Sequence, residues 1–334
     1  MKRTRSSLSS RTRRGGLRQA LTAARRYWVG AVVLAGFGFS GHYVYHHSQE
    51  LLHNLRLSWV LPVAVVVQIL FWFAVCYVWS LVLAKTTLAC ISISESFVQT
   101  ALLNFGKYVP GKVWGMLARG ARLRQRHQVP SEEILGATYI EQYYLFLSAA
   151  VVCVLILAGL YPSPLTAAAL VLCLGPVFFS PSIHRYLGDW AARLLRRLRR
   201  WMPIPAIDCK LGKLNRRDNV LLFLGYAVIW LLSGLIFYLV YVALFSRDVG
   251  LHQLAVMVVA NTVGIVAGFV AIFAPAGIGV REGASAAVLA IHMPIEEGLM
   301  LTVAFRVWVV VSELLAGLIV LVLLRSERER GLAR

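Results

Sequence analysis

The chain has 334 residues, of which 59% are hydrophobic and only 15% charged, and its mean hydropathy is +0.70. A water-soluble domain carries about a quarter charged residues and has no need of apolar runs of ~20 residues, so a soluble fold is excluded. The formal net charge of +19, from 34 Lys and Arg against 15 Asp and Glu, would suit a nucleic-acid partner, but the basic residues stand between apolar runs. The positive-inside rule accounts for that placement, and no nucleic acid is expected.

Residues 1–27 are rich in Ser and Arg and hold no acidic side chain, which reads as a disordered basic arm on the cytoplasmic side. A first span is predicted over 28–44, where Gly30, Gly36, Gly38 and Gly41 suit close helix packing. His42 and His46 follow at i,i+4 spacing but lack a Glu or Cys partner nearby, so they read as interfacial and no metal site is expected. Further full-length spans are predicted over 59–84, 134–160, 164–183, 220–245 and 299–324, which makes six crossings. Each supplies the ~20 residues that cover about 30 Å of hydrocarbon. The five cysteines, Cys76, Cys90, Cys153, Cys173 and Cys209, form no Cys-x-x-Cys pair, and they read as small apolar side chains.

Two apolar segments do not fit a simple crossing. One is 97–119, broken at Pro110 and Gly111, and the other is 251–292, broken around Pro275, Gly277 and Gly279. A Pro-Gly pair ends a helix and turns the chain. In the first segment the arms on either side of the break are too short to cross the bilayer. Both segments are therefore predicted to be re-entrant hairpins. Between the spans, Leu187, Trp190, Leu194, Leu198 and Trp201 recur at helical spacing with Arg193, Arg196, Arg197, Arg199 and Arg200 among them. This part of the basic segment 184–217 reads as an amphipathic helix on the anionic inner leaflet.

The basic residues test that topology. With the N-terminus inside, the inner parts carry nine before the first span, Lys85, three at Arg122, Arg124 and Arg126, ten in 184–217, and four in the tail 325–334. The outer loops hold only Arg56 and Arg247, so the split is 27 to two. This places both termini in the cytoplasm. The same order makes two groups, each a span, a hairpin and a span, with hairpins opening to opposite sides. That is the pattern of an inverted repeat, in which broken helices meet near the midplane and form the binding site.

Eight ionisable residues remain at membrane depth: Lys107, Lys112, Arg119, Glu141, Arg281, Glu282, Arg306 and Glu313. A charge at the bilayer centre costs about 2.5–3.5 kcal/mol on insertion scales, so such groups face protein, water or a charged ligand. Thr138, Glu141, Tyr144 and Ser148 share one helix face, as do Thr302, Arg306, Glu313 and Gly317, and a Glu141–Arg306 pair is expected between them. Five of the eight are basic, and the excess favours an anionic ligand such as a lipid phosphate. Free amides at the helix N-termini after the two breaks would add to that attraction.

At these residues the sequence resembles a known family. Asn104-Phe105-Gly106-Lys107-Tyr108-Val109-Pro110-Gly111-Lys112-Val113-Trp114 resembles the first signature of the flippase-like membrane domain of lysylphosphatidylglycerol synthases. Pro275-Ala276-Gly277-Ile278-Gly279-Val280-Arg281-Glu282-Gly283 is similar to its second. The resemblance covers roughly 58–324, and Glu141 and Arg306 fall where that family also keeps polar residues. It implies lipid translocation in a bacterial inner membrane. In the full-length synthases the membrane domain moves an aminoacylated lipid made by a separate cytoplasmic domain. Only ten residues follow Leu324 here, so a stand-alone member without that domain is expected.

The expectation is thus an all-α polytopic protein whose domain 28–324 moves an anionic phospholipid or polyprenyl-phosphate lipid. Lys107, Lys112, Arg119, Arg281 and Arg306 would bind the head group, and Glu141, Glu282 or Glu313 would pair charges or carry a coupling proton. Two other readings stand beside it. One is a scaffold that docks lipid- or glycan-synthesis enzymes; the other is an intramembrane lipid-modifying enzyme. The sequence offers no Gly-x-Ser-x-Gly, His-Glu-x-x-His or P-loop motif, so neither an enzyme nor a cofactor is expected.

Overall fold

The computed structural model describes residues 59–87, 89–108, 114–176, 214–245, 250–271, 274 and 277–332. All lie within the compact unit Leu51–Arg334. The basic arm, the predicted span 28–44 with its histidines, and the amphipathic segment lie outside the described residues. So do Lys112, Pro110, Gly111 and Pro275.

The described residues form nine helices and no strand. They are α1 (Val60–Thr86), α2 (Ile93–Gly106), α3 (Trp114–His127), α4 (Ser131–Leu160), α5 (Pro164–Pro176), α6 (Arg216–Phe245), α7 (Leu251–Val270), α8 (Val280–Leu289) and α9 (Ile295–Leu332). Five are long and apolar enough to cross a membrane: α1, α4, α6, α7 and the stretch Ile295–Ser326 of α9. A helix can cross because all its backbone hydrogen bonds are internal. The chain is a polytopic helical membrane protein.

Local chemistry sets the helix ends. Thr87 closes α1 by donating both its amide and its hydroxyl to the Leu83 carbonyl. Ser92 caps α2, accepting from the Glu95 amide at 3.2 Å. Pro130 and Pro294 precede α4 and α9, and each helix carries two Glu in its first turn, where the dipole favours them. Inside and outside are not told apart by polarity here. On α1 the exposed Val65, Val66, Ile69, Leu70 and Phe73 are as apolar as the buried Val67, Cys76, Val82 and Leu83.

Small residues decide which helices touch. A Cβ on Gly225 of α6 would stand 2.7 Å from the Val78 side chain of α1, and one on Gly234 would strike Val258 of α7. The main core gathers Val78, Trp79 and Leu83 of α1, Leu123 of α3, Ile140 and Tyr144 of α4, and Leu222 and Ile229 of α6.

Two helical hairpins are set into this frame. In α2–α3 the backbones of Gly106 and Gly115 meet, with no room for a side chain at either. In α7–α8 a Cβ on Gly264 would lie 2.8 Å from the Arg281 carbonyl, and Gly277 stands against the Gly268 backbone. Gly277 and Gly279 carry φ of 70° and 82°, conformations open to glycine at no steric cost. The first hairpin starts and ends at one face of the bundle, where Glu95 meets Arg122 and, nearby, Lys85 pairs with Asp218 at 2.8 Å. The second starts and ends at the opposite face, where the His252 and His292 rings lie 5.4 Å apart. Helix α4 joins the two faces: Ser131 accepts from Arg124 at one, and Tyr161 lies 3.4 Å from His292 at the other.

The structure adds detail to two of the predicted segments. The second hairpin is unequal, because α7 alone has 20 residues and reaches spanning length whereas α8 has ten. The predicted span 164–183 is helical over Pro164–Pro176, and residues 177–183 lie outside the described residues.

Candidate functional site

The tips of the two hairpins meet against α9. Phe105, near the end of α2, lays its ring where a side chain on Gly317 would stand. Val98 and Ala101 of α2 pack on Val320 of α9. This apolar docking carries Lys107 and Tyr108 to Glu313. The Lys107 ammonium binds Glu313 Oε1, and the Tyr108 hydroxyl donates to Glu313 Oε2 at 2.7 Å. Glu313 is buried, with a side-chain exposure of 8%, whereas Lys107 keeps 28%.

The second hairpin brings Arg281 and Glu282 to the same place. Arg306 stands two turns before Glu313 on α9, and its Nε lies 3.9 Å from Glu282 Oε1. The Arg281 guanidinium sits 5.5 Å from the Phe305 ring centroid, and Phe305 packs edge-on against Phe237 of α6 at 4.8 Å. Both arginines lie within electrostatic range of Lys107 and Tyr108. Three cations and two carboxylates are therefore gathered in one cluster, which leaves a net positive charge. Glu282 is already engaged, because its Oε2 accepts the Gly279 amide at 2.7 Å and caps α8. The amide expected to attract an external anion after the second break is thus met by the chain's own carboxylate.

Arg119 and Glu141 form a separate site. Arg119 Nη1 donates to Glu141 Oε1 at 3.0 Å and Nη2 binds the other oxygen, a bidentate pair. The guanidinium lies 3.6 Å over the Trp79 ring. The Trp79 indole donates to Gln99 at 2.8 Å, and Gln99 donates to Glu95 at 2.9 Å. Arg122 grips both Glu95 oxygens at 2.8 and 2.7 Å. Arg119 is 1% exposed and Glu141 8%.

The expected Glu141–Arg306 pair is therefore not formed: Glu141 belongs to Arg119 and Arg306 approaches Glu282. Both helix faces turn inward: Glu141, Tyr144, Ser148, Thr302 and Glu313 are buried, and Thr138, Arg306 and Gly317 are partly buried. What the faces could not show is that hairpin α2–α3 lays its second arm beside α4, where Arg119 reaches Glu141. Of the predicted residues, the structure unites Lys107, Arg281, Glu282, Arg306 and Glu313 and sets Arg119 and Glu141 apart.

Tyr108, Glu95, Trp79, Gln99 and Arg122 were missed. Glu95 carried a signal, being the lone acidic residue between Glu50 and Glu132 amid many cations. Ser92-x-x-Glu95 is also a capping-box pattern. Outside the spans, His292 has its ring pKa held below the ordinary value by burial and by the neighbouring His252. Among the described residues no three His, Cys, Asp or Glu side chains gather as a metal site.

The model of one protein family, described as the lysylphosphatidylglycerol synthase TM region, matches residues 27–317. No curated protein and no solved structure matches the chain significantly.

Proposed function

The chain belongs to the family of lysylphosphatidylglycerol synthase TM regions, and from that premise we propose that it moves an anionic lipid head group between leaflets. One observation carries the reading: two hairpins that open to opposite faces bring their tips together on one net-positive cluster of Lys107, Arg281, Glu282, Arg306 and Glu313. A group bound there is approached along one hairpin from each side, which is what exchange between leaflets requires. Three cations at membrane depth exceed what two carboxylates neutralise, and a phosphate supplies the missing charge. The chemistry of the cluster is that of binding. Its carboxylates are engaged by cations, a hydroxyl and an amide.

The orientation that goes with this reading puts both termini in the cytoplasm of a bacterial inner membrane, supported by the 27-to-two division of basic residues. The first hairpin then opens to the cytoplasm and the second to the outside. Their like construction supports the inverted repeat: each is a glycine-crossed pair of helices between two long spans. Both are read as re-entrant, with the tips near mid-membrane.

Head-group flipping in proteoliposomes tests the proposal. Wild-type protein, Arg281→Ala and Arg306→Ala would be assayed with phosphatidylglycerol, aminoacylated phosphatidylglycerol and a polyprenyl phosphate. The expected result is that wild-type protein moves one of these lipids and each alanine variant, still folded, moves it at least tenfold more slowly. Full transport by both variants overturns the site, and no transport of any lipid overturns the function.

A further inference from the structure

We propose that Glu313 is an internal stand-in for the ligand's phosphate, and that a phosphate ester binds by taking Lys107 and Tyr108 over from the Glu313 carboxylate. This rests on the head-group reading and adds to it a second donor and the competitor that the ligand displaces.

The first argument is the match of chemistry. Each Glu313 oxygen has its own donor, the Lys107 ammonium on one and the Tyr108 hydroxyl on the other. A phosphodiester likewise presents two charged, unbridged oxygens, so the same two donors serve it in the same arrangement. The donor set is mixed and single-point, unlike the bidentate guanidinium fork that holds Glu141. A lysine on a flexible stem can follow a new anion, whereas a stacked arginine fork is tied to one partner.

The second argument is access. The Lys107 side chain keeps 28% exposure and that of Arg119 only 2%. The donors of the first pair can be reached while the second pair is sealed beneath Trp79.

The third argument is that the hairpin does not need the ion pair to stay docked. Phe105 on Gly317, and Val98 with Ala101 on Val320, hold α2 against α9 through apolar contact. Glu313 can release its donors without undocking the tip. Glu282, the other carboxylate of the cluster, cannot leave as freely, because it caps α8. Once Glu313 lets go, the Lys107 ammonium is open to another anion, with Arg281 and Arg306 within electrostatic range.

The test is the affinity of folded, detergent-solubilised protein for dihexanoylphosphatidylglycerol, with inorganic phosphate as a second arm. Glu313→Gln removes the competitor and is expected to bind the lipid about tenfold more tightly than wild type. In the Glu313→Gln background, Tyr108→Phe removes a donor that no carboxylate competes for and is expected to bind about tenfold more weakly than Glu313→Gln alone, the loss of one hydrogen bond to a charged group. Glu313→Asp keeps a competing carboxylate and is expected to bind more weakly than Glu313→Gln, which separates loss of the charge from a change in packing, and equal tightening in both overturns the assignment to charge. If a structural role were all that Glu313 had, Glu313→Gln would bind more weakly, and that result, or an unchanged affinity, overturns the inference while leaving the head-group reading intact. Unchanged binding on adding Tyr108→Phe to Glu313→Gln overturns the part given to Tyr108. If inorganic phosphate shows the same pattern at equal strength, the exchange stands and its ligand is a free phosphate. Absence of binding by wild type and all variants removes the head-group reading and this inference together.

Discussion

The Arg119–Glu141 pair offers a sharp test of which intramembrane charges hold the fold. Replacing Glu141 with Leu leaves a guanidinium that is 1% exposed, covered by Trp79 and without a carboxylate. Breaking a buried pair from one side costs about 3–5 kcal/mol, since the remaining charge is neither solvated nor paired. Arg119→Met should cost a similar amount by stranding Glu141. The double variant Arg119→Met with Glu141→Leu strands nothing and replaces the pair with apolar volume, so it should be less damaging than either single change. Equilibrium unfolding in mixed micelles would measure all four proteins. A Glu141→Leu loss below about 1 kcal/mol, or a double-variant loss equal to the sum of the singles, refutes the argument, because both outcomes mean the two groups do not depend on each other. The same double variant, assayed for lipid flipping, decides the role given to Arg119. Retained flipping is expected if the pair is structural, and loss with full stability would return Arg119 to the head-group site.

Gly264→Val should disrupt the second hairpin, because its side chain would drive into the Arg281 carbonyl and Ser285 at the crossing of α7 and α8. A lower melting temperature with lost lipid flipping is expected, and wild-type values for both would show that the helices can part freely there. The His292 ring gives a pH dependence with a definite sign. Its folded pKa is depressed, so the unfolded chain takes the proton more readily and stability falls as pH drops through and below about 6.5. The fall in melting temperature from pH 7.5 to 5.0 should be smaller in His252→Gln than in wild type, since burial then acts without the second ring, and an equal fall would remove His252 as a cause.

Periodicity showed which faces of α9 and α4 turn inward, because a buried face in lipid still selects small and polar side chains. Thr302, Glu313 and Gly317 on α9 and Glu141, Tyr144 and Ser148 on α4 lie as their spacing implied. Pairing was not legible, because a face fixes direction and not distance. Glu141 faces inward whether its partner is Arg306 or Arg119, and only the seat of α3 against α4 decides between them. Tyr108 was hidden for a different reason. An aromatic next to a predicted break reads as apolar filling, and its hydroxyl gains a partner only when α9 is brought alongside. The unequal arms of the second hairpin follow from where its break falls within 251–292. Proline and glycine mark where a chain turns, and α7 runs up to Ala271 before that turn.

The contrast between the two charge sites bears on where the molecule can move. The wall formed by α1, α4 and α6 is joined by contacts with no slack. Gly225 takes Val78, Trp230 donates to the Leu145 carbonyl at 2.9 Å, Lys85 pairs with Asp218, and Arg119 is clamped between Glu141 and Trp79. Rearranging it would strand a buried guanidinium and open close-packed glycine contacts at once. At the hairpin tips the cost is smaller, because a bound phosphate takes the place of Glu313 at Lys107 and Tyr108 and cancels the excess positive charge of the cluster. Motion that admits a head group is therefore expected at the tips of the hairpins against α9, while α1, α4 and α6 stay fixed. Spin labels at Gly283, beside the second tip where a side chain meets nothing, and at the exposed Leu318 of α9 should change separation with lipid bound, and labels at the exposed Phe73 of α1 and Leu224 of α6 should not. A shift confined to the second pair would place the moving part in the wall and not at the tips.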